Sequence, residues 1–515
     1  MQFLQHNIVA FLVALVSCAY AWAWGGMRSS WVLAVAPWTW LLLLEGMFFF
    51  PQRQGFESTP EARERVWNNL VHDPLTWTIV AFLGLLLIPF LNTALCPICD
   101  AEALADGMAA GPTIPFLPFC TNRYEHLNVF LWFGPVLTAV LAVRHSLAKE
   151  GRRVTLRLIV LSATVLALFG FVQIALGAQA PYWVDPVPYA GTFFASFGYA
   201  NAGADYFMAT TLLALALWRR ELDETRPHHH HHHHQRHRRL NEALRAQAIR
   251  HRMLLPAAIL LSATLATLSR AGILLVTTGT GLIVIHALIS HFKRLDRLGR
   301  VRASAGFLLA FSLLAVAVLS FLPRDVQREV GTVETTEMLD RMTGRGEYHS
   351  DVALQLLKEN PFFGCGGWGY RHYSVPLMPE RARNELKYVW TRGGANVHND
   401  SLQFMVEHGV LGFALLVFIV FLLIGPTAEV WQKLAMEARF APRGERPPHP
   451  VSLFALPAPA FAILLAATAT YIHSFCDCPL RSPAVLSVFF IELAAIGGFL
   501  PDFKDEGNND EFNEG

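Results

Sequence analysis

Charge is what this sequence has least of. Of its 515 residues only 16% are Asp, Glu, Lys or Arg, against about 25% in soluble domains. The net charge of +1 gives no hint of nucleic acid, and no nucleic-acid partner is expected. No Asp-x-Asp pair occurs, which removes the carboxylates often used to hold a metal–nucleotide donor. Cysteines number seven. The Cys96-Pro-Ile-Cys99 pair has no matching second pair, and a complete structural zinc site needs four ligands. No metal and no cofactor are expected.

What is plentiful is apolar sequence, 53% of the chain. It comes in blocks such as "LTWTIVAFLGLLLIPFLNTAL" (75–95) and "LRLIVLSATVLALFGFVQIALGA" (156–178). Blocks of roughly 20 apolar residues cross a bilayer as helices. The fold class expected is an all-α polytopic membrane protein with about twelve transmembrane helices. These centre near Val13, Trp40, Leu85, Val136, Ala167, Leu212, Leu261, Leu282, Ala315, Phe418, Leu465 and Phe490. The first block could be a signal segment, or a lipoprotein signal around Cys18. Its lack of a basic leading stretch favours a retained helix.

Orientation follows from Lys and Arg. The segments 148–157, 291–302 and 218–252 are strongly basic. Alternating spans put them all on one side, expected to be cytoplasmic. The long segment 322–399, between helices nine and ten, then lies outside as a helical loop. Every cysteine except Cys18 falls on that outer side too. An oxidising compartment permits disulfides there, with Cys96, Cys99 and Cys120 the candidates and the pairing not deducible.

Three divisions are expected: residues 1–190, N-terminal helices with the Cys-containing loop; residues 191–500, the remaining spans with loop 322–399; and an acidic, disordered tail at 501–515. Seven consecutive histidines at 228–234 form a low-complexity cytoplasmic loop whose metal affinity would lie on the wrong side for external chemistry. The spans do not divide into two similar halves about a central loop, which argues against a two-repeat transporter.

Polar residues at span borders are the functional candidates. Arg270 sits in the tight turn Ser269-Arg270-Ala271-Gly272 between two spans, with interfacial anchoring as its plain alternative. Asn201 and Asp205 enter the sixth span in "ASFGYANAGADYFMATT", where Asn201 reads as a helix cap. His473, Asp477 and Arg481 share the last external turn, where an Asp477–Arg481 pair is the simple reading. In the long loop an amphipathic helix ends before Pro361, with Val352, Leu354, Leu356 and Leu357 as its apolar contacts and Arg345 ahead of it. The glycine-rich turn Gly364–Gly369 follows, with Trp368 and Tyr370 expected at the membrane surface. The loop closes on His398-Asn399-Asp400 at the start of a long apolar helix.

In that order, "GTFFASFGYANAGADY", "SRAG", Arg345, "ENPFFGCG", "HNDSLQFMVEHGVLG" and "HSFCDCPLRSP" resemble the O-antigen ligase and polymerase superfamily of membrane glycosyltransferases, over residues 190–500. The resemblance implies an all-α fold, similar in plan to other lipid-dependent (GT-C-like) glycosyltransferases, with a periplasmic loop over a membrane cavity. It implies metal-independent transfer of a glycan from an undecaprenyl-diphosphate donor to an acceptor hydroxyl at the periplasmic face of a bacterial inner membrane. The acceptor is lipid A core in a ligase and another lipid-linked glycan in a polymerase; ligase is slightly favoured. A lipid-linked sugar transporter is the reading from another class. Matched by motif, His398 takes the place of the family's loop-terminal histidine, Arg270 of its arginine between spans and Arg345 of its loop arginine. His349, four residues after Arg345, replaces the Trp or Leu common there.

The chemistry agrees with those residue types. A diphosphate leaves readily, so the tasks left are to clamp its charge and to take a proton from the acceptor. Arginine's planar fork binds phosphate oxygens in pairs. Histidine's ordinary pKa suits a general base, and the free N–H groups of a helix start help bind phosphate. His398 is the expected base, and Arg270 and Arg345 the expected diphosphate ligands. Asn399, Asp400, Asn201, Asp477 and Arg481 are expected to support them.

Overall fold

The computed structural model describes residues 7–95, 112–114, 116–184, 193–224, 251–292, 349–378, 396–440 and 456–501. Arg345, Cys96, Cys99, the histidine tract, the expected span near Ala315 and the acidic tail beyond Pro501 lie outside these residues.

The described residues are helical throughout, with no strand and two isolated bridges, Thr93–Cys120 and Phe194–Phe197. In chain order the helices are α1 (Ile8–Trp22), α2 (Ser29–Phe49), α3 (Thr59–His72), α4 (Pro74–Leu87), α5 (Arg123–Leu141), α6 (Lys149–Ala175), α7 (Ala200–Glu224), α8 (Leu254–Ala266) and α9 (Arg270–Phe292). After these come α10 (349–359), α11 (Gly369–Leu377), α12 (Asp400–Phe440), α13 (Ala458–His473) and α14 (Pro483–Ala495). Helices cover eleven of the twelve expected span centres; Ala315 is the one outside. Among the described residues six helical stretches are long and apolar enough to cross a membrane: 29–49, 74–91, 123–146, 149–175, 270–289 and 400–436. Four more apolar helices are shorter. The described residues are those of an all-helical protein with helices long and apolar enough to cross a membrane.

One helix was not anticipated. Short, polar α3 starts at a capping box, in which Ser58 N donates to Glu61 Oε2 at 2.6 Å and Glu61 N to Ser58 Oγ at 3.4 Å. The capping pattern was legible. The apolar blocks drew attention away from it.

Apolar helices in a bilayer associate by close packing rather than by escape from water, so small residues mark their contacts. The tightest association joins α7 and α13. Ala202, Ala204, Ala209 and Ala216 of α7 are buried, as are Ala460, Ala462, Ala466 and Ala469 of α13. α9 joins them through Gly272, where a Cβ would lie 2.6 Å from the Ala204 Cβ. This alanine seam brings the starts of α7 and α9 to the end of α13, and all the border candidates of those helices ride on it.

A second, smaller core lies apart from the helix bundle. It unites Ala94, Phe119, Val352, Leu356, Tyr370 and Val397, so the cysteine-containing loop and the long loop fold onto one another. Cys120 is a buried free thiol whose Sγ donates to Pro89 O at 3.2 Å. Every cysteine among the described residues is free, and a bond between Cys96 and Cys99 would lie outside them. Two loop residues depart from expectation. Leu354 is exposed, because α10 turns only its Val352–Leu356 side inward. Tyr370 is fully buried rather than interfacial, its hydroxyl being taken up by His349.

Candidate active site

The chain enters α12 by an unusual backbone. His398 has φ of 55°, a left-handed conformation costing about 1–2 kcal/mol outside glycine. Hydrogen bonds on both sides hold it there. Val397 N donates to Gln403 Oε1 at 3.0 Å, and Asp400 N to Ser474 O at 2.8 Å. Asn399 caps the helix, its Oδ1 accepting from Leu402 N at 3.0 Å. Asp400 Oδ2 accepts from Leu480 N at 2.9 Å, which pins the helix start to the turn after α13.

That turn carries Asp477, the hub of the site. His398 Nδ1 lies 3.1 Å from Asp477 Oδ1. Tyr199 donates its hydroxyl to the same carboxylate at 2.6 Å, and Asn201 donates its Nδ2–H to Oδ2. Cys478 N adds a fourth donor at 2.8 Å. Burial alone would raise the Asp477 pKa. The hydrogen bond and charge of His398, the Tyr199 hydroxyl and the charge of His473 more than offset it, so the carboxyl stays well below its ordinary range. Asp477 is therefore a fixed anion with 5% of its side chain exposed, while the His398 side chain keeps 33%. The His398 Nε2 has no hydrogen-bond partner among the described residues.

Around this dyad stands a second set of rings. The His349 ring centre is 6.0 Å from that of His398. His349 Nδ1 is 2.9 Å from the Tyr370 hydroxyl. Burial, then the neighbouring His398, pushes the His349 pKa down to about 4. Trp368 lies between two guanidinium groups, with Arg371 at 4.1 Å and Arg481 at 4.0 Å from its ring centre. Such cation–π contacts are worth about 0.5–2 kcal/mol each. They fix the Trp368 ring against Arg371 and Arg481.

The glycines of the long loop serve α12. At Gly409 the helix breaks, with φ 69° and ψ 177°, a conformation open only to glycine. The backbone groups freed by the break must be paired, and "ENPFFGCG" pairs them. Val410 N donates to Pro361 O at 2.8 Å, Cys365 N to Val406 O at 2.9 Å and Gly366 N to Glu407 O at 2.8 Å. The loop motif thus completes a discontinuous helix about two and a half turns below its start at Asp400.

A cavity of about 330 Å³ opens alongside, between α12, α13 and α14. Its walls are apolar, with Phe404, Leu416, Leu464 and Leu486 among them, and its polar residues include Asp400, Glu407 and Arg481.

A further histidine–carboxylate pair lies deeper, where His473 Nδ1 is 2.8 Å from Asp205 Oδ1. Its side chains are 1% and 0% exposed.

His398, Asp477 and Asn201, far apart in sequence, are in direct contact through Asp477. Asn201 is not a helix cap; its amide is spent on Asp477. The expected Asp477–Arg481 pair does not form either. Arg481 Nη1 donates to Glu407 Oε2 at 3.0 Å, because Asp477 is already saturated by other donors. Arg270 opens α9 on the same seam as Asn201, half-buried and engaged. Arg345 lies outside the described residues. Sequence reasoning passed over Tyr199, two residues before Asn201 in the "GYAN" turn. A polar ring beside an intramembrane amide was the available signal. Among the described residues one group could hold a metal ion, with ligand atoms of His398, Asp477 and Cys478 all within 4.8 Å of one another.

No curated protein matches the chain. A family match covers α8, the Arg270 turn, the long loop, His398 and the first part of α12, a narrower stretch than 190–500. Residues 255–417 match the family model described as O-antigen ligase, which supports a place for the chain in the O-antigen ligase superfamily.

Proposed function

We propose that this membrane glycosyltransferase-type protein moves a glycan from an undecaprenyl-diphosphate donor to an acceptor hydroxyl at the periplasmic face of the bacterial inner membrane. His398 is the general base. The observation that carries this reading is the contact between His398 Nδ1 and the buried anion Asp477 at 3.1 Å. With Nδ1–H donated to Asp477, the lone pair is fixed on Nε2, at the partly exposed edge of the ring. The acceptor O–H delivers its proton to Nε2 as its oxygen attacks the anomeric carbon. The bond from that carbon to the diphosphate oxygen breaks, and the lipid diphosphate departs with the electron pair. Asp477 steadies the imidazolium that results.

Arg270 and Arg345 are assigned to the diphosphate. Two guanidinium groups balance much of its charge without a metal ion, and such contacts strengthen as charge gathers on the leaving oxygen. Asn201, Tyr199 and Asn399 position the dyad; Asp400 and Arg481 fix the α12 start and the turn after α13. The apolar cavity beside the dyad supports a donor with a hydrocarbon chain. The gathering of polar groups at one end of the bundle, rather than along several spans, favours an enzyme over a transporter.

The test is to incubate purified protein with undecaprenyl-diphosphate glycan and either lipid A core or a second lipid-linked glycan. A glycosylated core marks a ligase, the favoured outcome. A lengthened lipid-linked chain marks a polymerase. No transfer to either, with uptake into sealed vesicles instead, would refute the proposal.

A further inference from the structure

The turn that positions the base also contains a thiol that the transfer does not use. Cys478 is buried, and its Sγ lies 3.5 Å from Asp477 Oδ1. On its other side Asp477 Oδ1 is 3.1 Å from His398 Nδ1. Imidazole nitrogen, carboxylate oxygen and sulfur are the donor set that zinc accepts, at bonds of about 2.0–2.3 Å. The edges of a tetrahedron with such bonds are about 3.3–3.8 Å long. Two edges of the His398–Asp477–Cys478 triangle are already near that range, and the third lies within 4.8 Å. The Tyr199 and Asn201 donors on Asp477 are the kind of outer partner that orients a ligating carboxylate.

We propose that His398, Asp477 and Cys478 form an inhibitory site for a thiophilic divalent cation, zinc above all, which shuts the enzyme by capturing its base. Binding takes the Nδ1 lone pair, so the ring proton must sit on Nε2. The atom that should accept the acceptor's proton then carries one of its own. The thiol proton is released to solvent as the metal–sulfur bond forms, and no electrons are exchanged.

The inhibitory half rests on His398 being the base; the ligation half does not. Cobalt(II) is the probe for ligation, because a thiolate bound to it gives a near-ultraviolet charge-transfer band that histidines at 228–234 cannot produce. The full-length protein should show this band. Cys478→Ser and Cys478→Ala should lose the Cys478-dependent band while unfolding in detergent at near the parent temperature, a check that both are folded. Zinc should inhibit the parent, with recovery on adding a chelator. Either variant should need at least about tenfold more zinc. A band that is absent, or unchanged in both variants, overturns the site. A Cys478-dependent band without zinc inhibition overturns the inhibitory role and tells against His398 as base.

Discussion

Two of the histidine–carboxylate pairs at this end of the bundle, His473–Asp205 and His398–Asp477, differ in one respect that matters. His473–Asp205 is sealed, at 1% and 0% exposure. His398–Asp477 has an equally buried acid but a histidine with 33% of its side chain open. The first pair has nowhere to send a proton. It joins α13 to α7 within the alanine seam and holds the turn that follows. The second has one ring nitrogen fixed and the other free. On the function proposed, the same two residue types serve as a strut in one place and as acid–base equipment in the other, and access to Nε2 makes the difference.

The comparison is tested most severely at Asp477. Asp477→Asn keeps the shape but removes the anion that sets the His398 tautomer. Turnover should fall about 10²–10⁴-fold with donor affinity little changed. Equal loss in both would mean that Asp477 only builds the turn.

Breaking the strut should act on stability instead. His473→Ala leaves Asp205 buried without its partner, which typically costs about 3–5 kcal/mol. Thermal unfolding in detergent should move down sharply, while the folded fraction transfers glycan within a few-fold of normal. The double change His473→Leu with Asp205→Leu should restore much of the loss. If the double variant is stable but inactive, the buried pair takes part in chemistry and the contrast collapses.

His349 offers an intermediate case, a neutral ring beside the base. Its pKa is lowered from 6.5 to about 4, so the unfolded chain binds the extra proton first as pH falls. The stability it contributes is complete above pH 6.5 and is lost on descent from there toward 4. Proteolysis of the long loop should accelerate over that window, and His349→Ala should flatten the acceleration. Its turnover should fall by less than about tenfold, under the lower limit expected for a base. The smallest effect belongs to the histidines at 228–234. A Gly/Ser replacement should leave transfer within about twofold, well inside the tenfold that 1.36 kcal/mol represents.

Much of this was legible in the apolar blocks, since a run long enough to cross a bilayer has few alternatives to a helix. The border residues were legible too, because a polar group there is costly and needs a reason. The partners were not. His398 meets Asp477 across 79 residues and Tyr199 meets it across 278; the second contact exists because alanines let α7 and α13 approach, the first because Asp400 ties the start of α12 to the turn after α13. Glu407 looked like an ordinary helix residue, yet it takes Arg481 because Asp477 is already occupied. The glycines of "ENPFFGCG" read as a free turn, and their purpose is visible only against the break at Gly409.

The central claim is that His398 removes the acceptor's proton. The direct test is His398→Ala, with turnover and donor affinity measured separately on folded protein. Turnover should drop about 10²–10⁴-fold while the lipid-diphosphate glycan still binds with near-parent affinity. A folded His398→Ala protein with near-normal turnover would contradict the account and leave His398 a border residue.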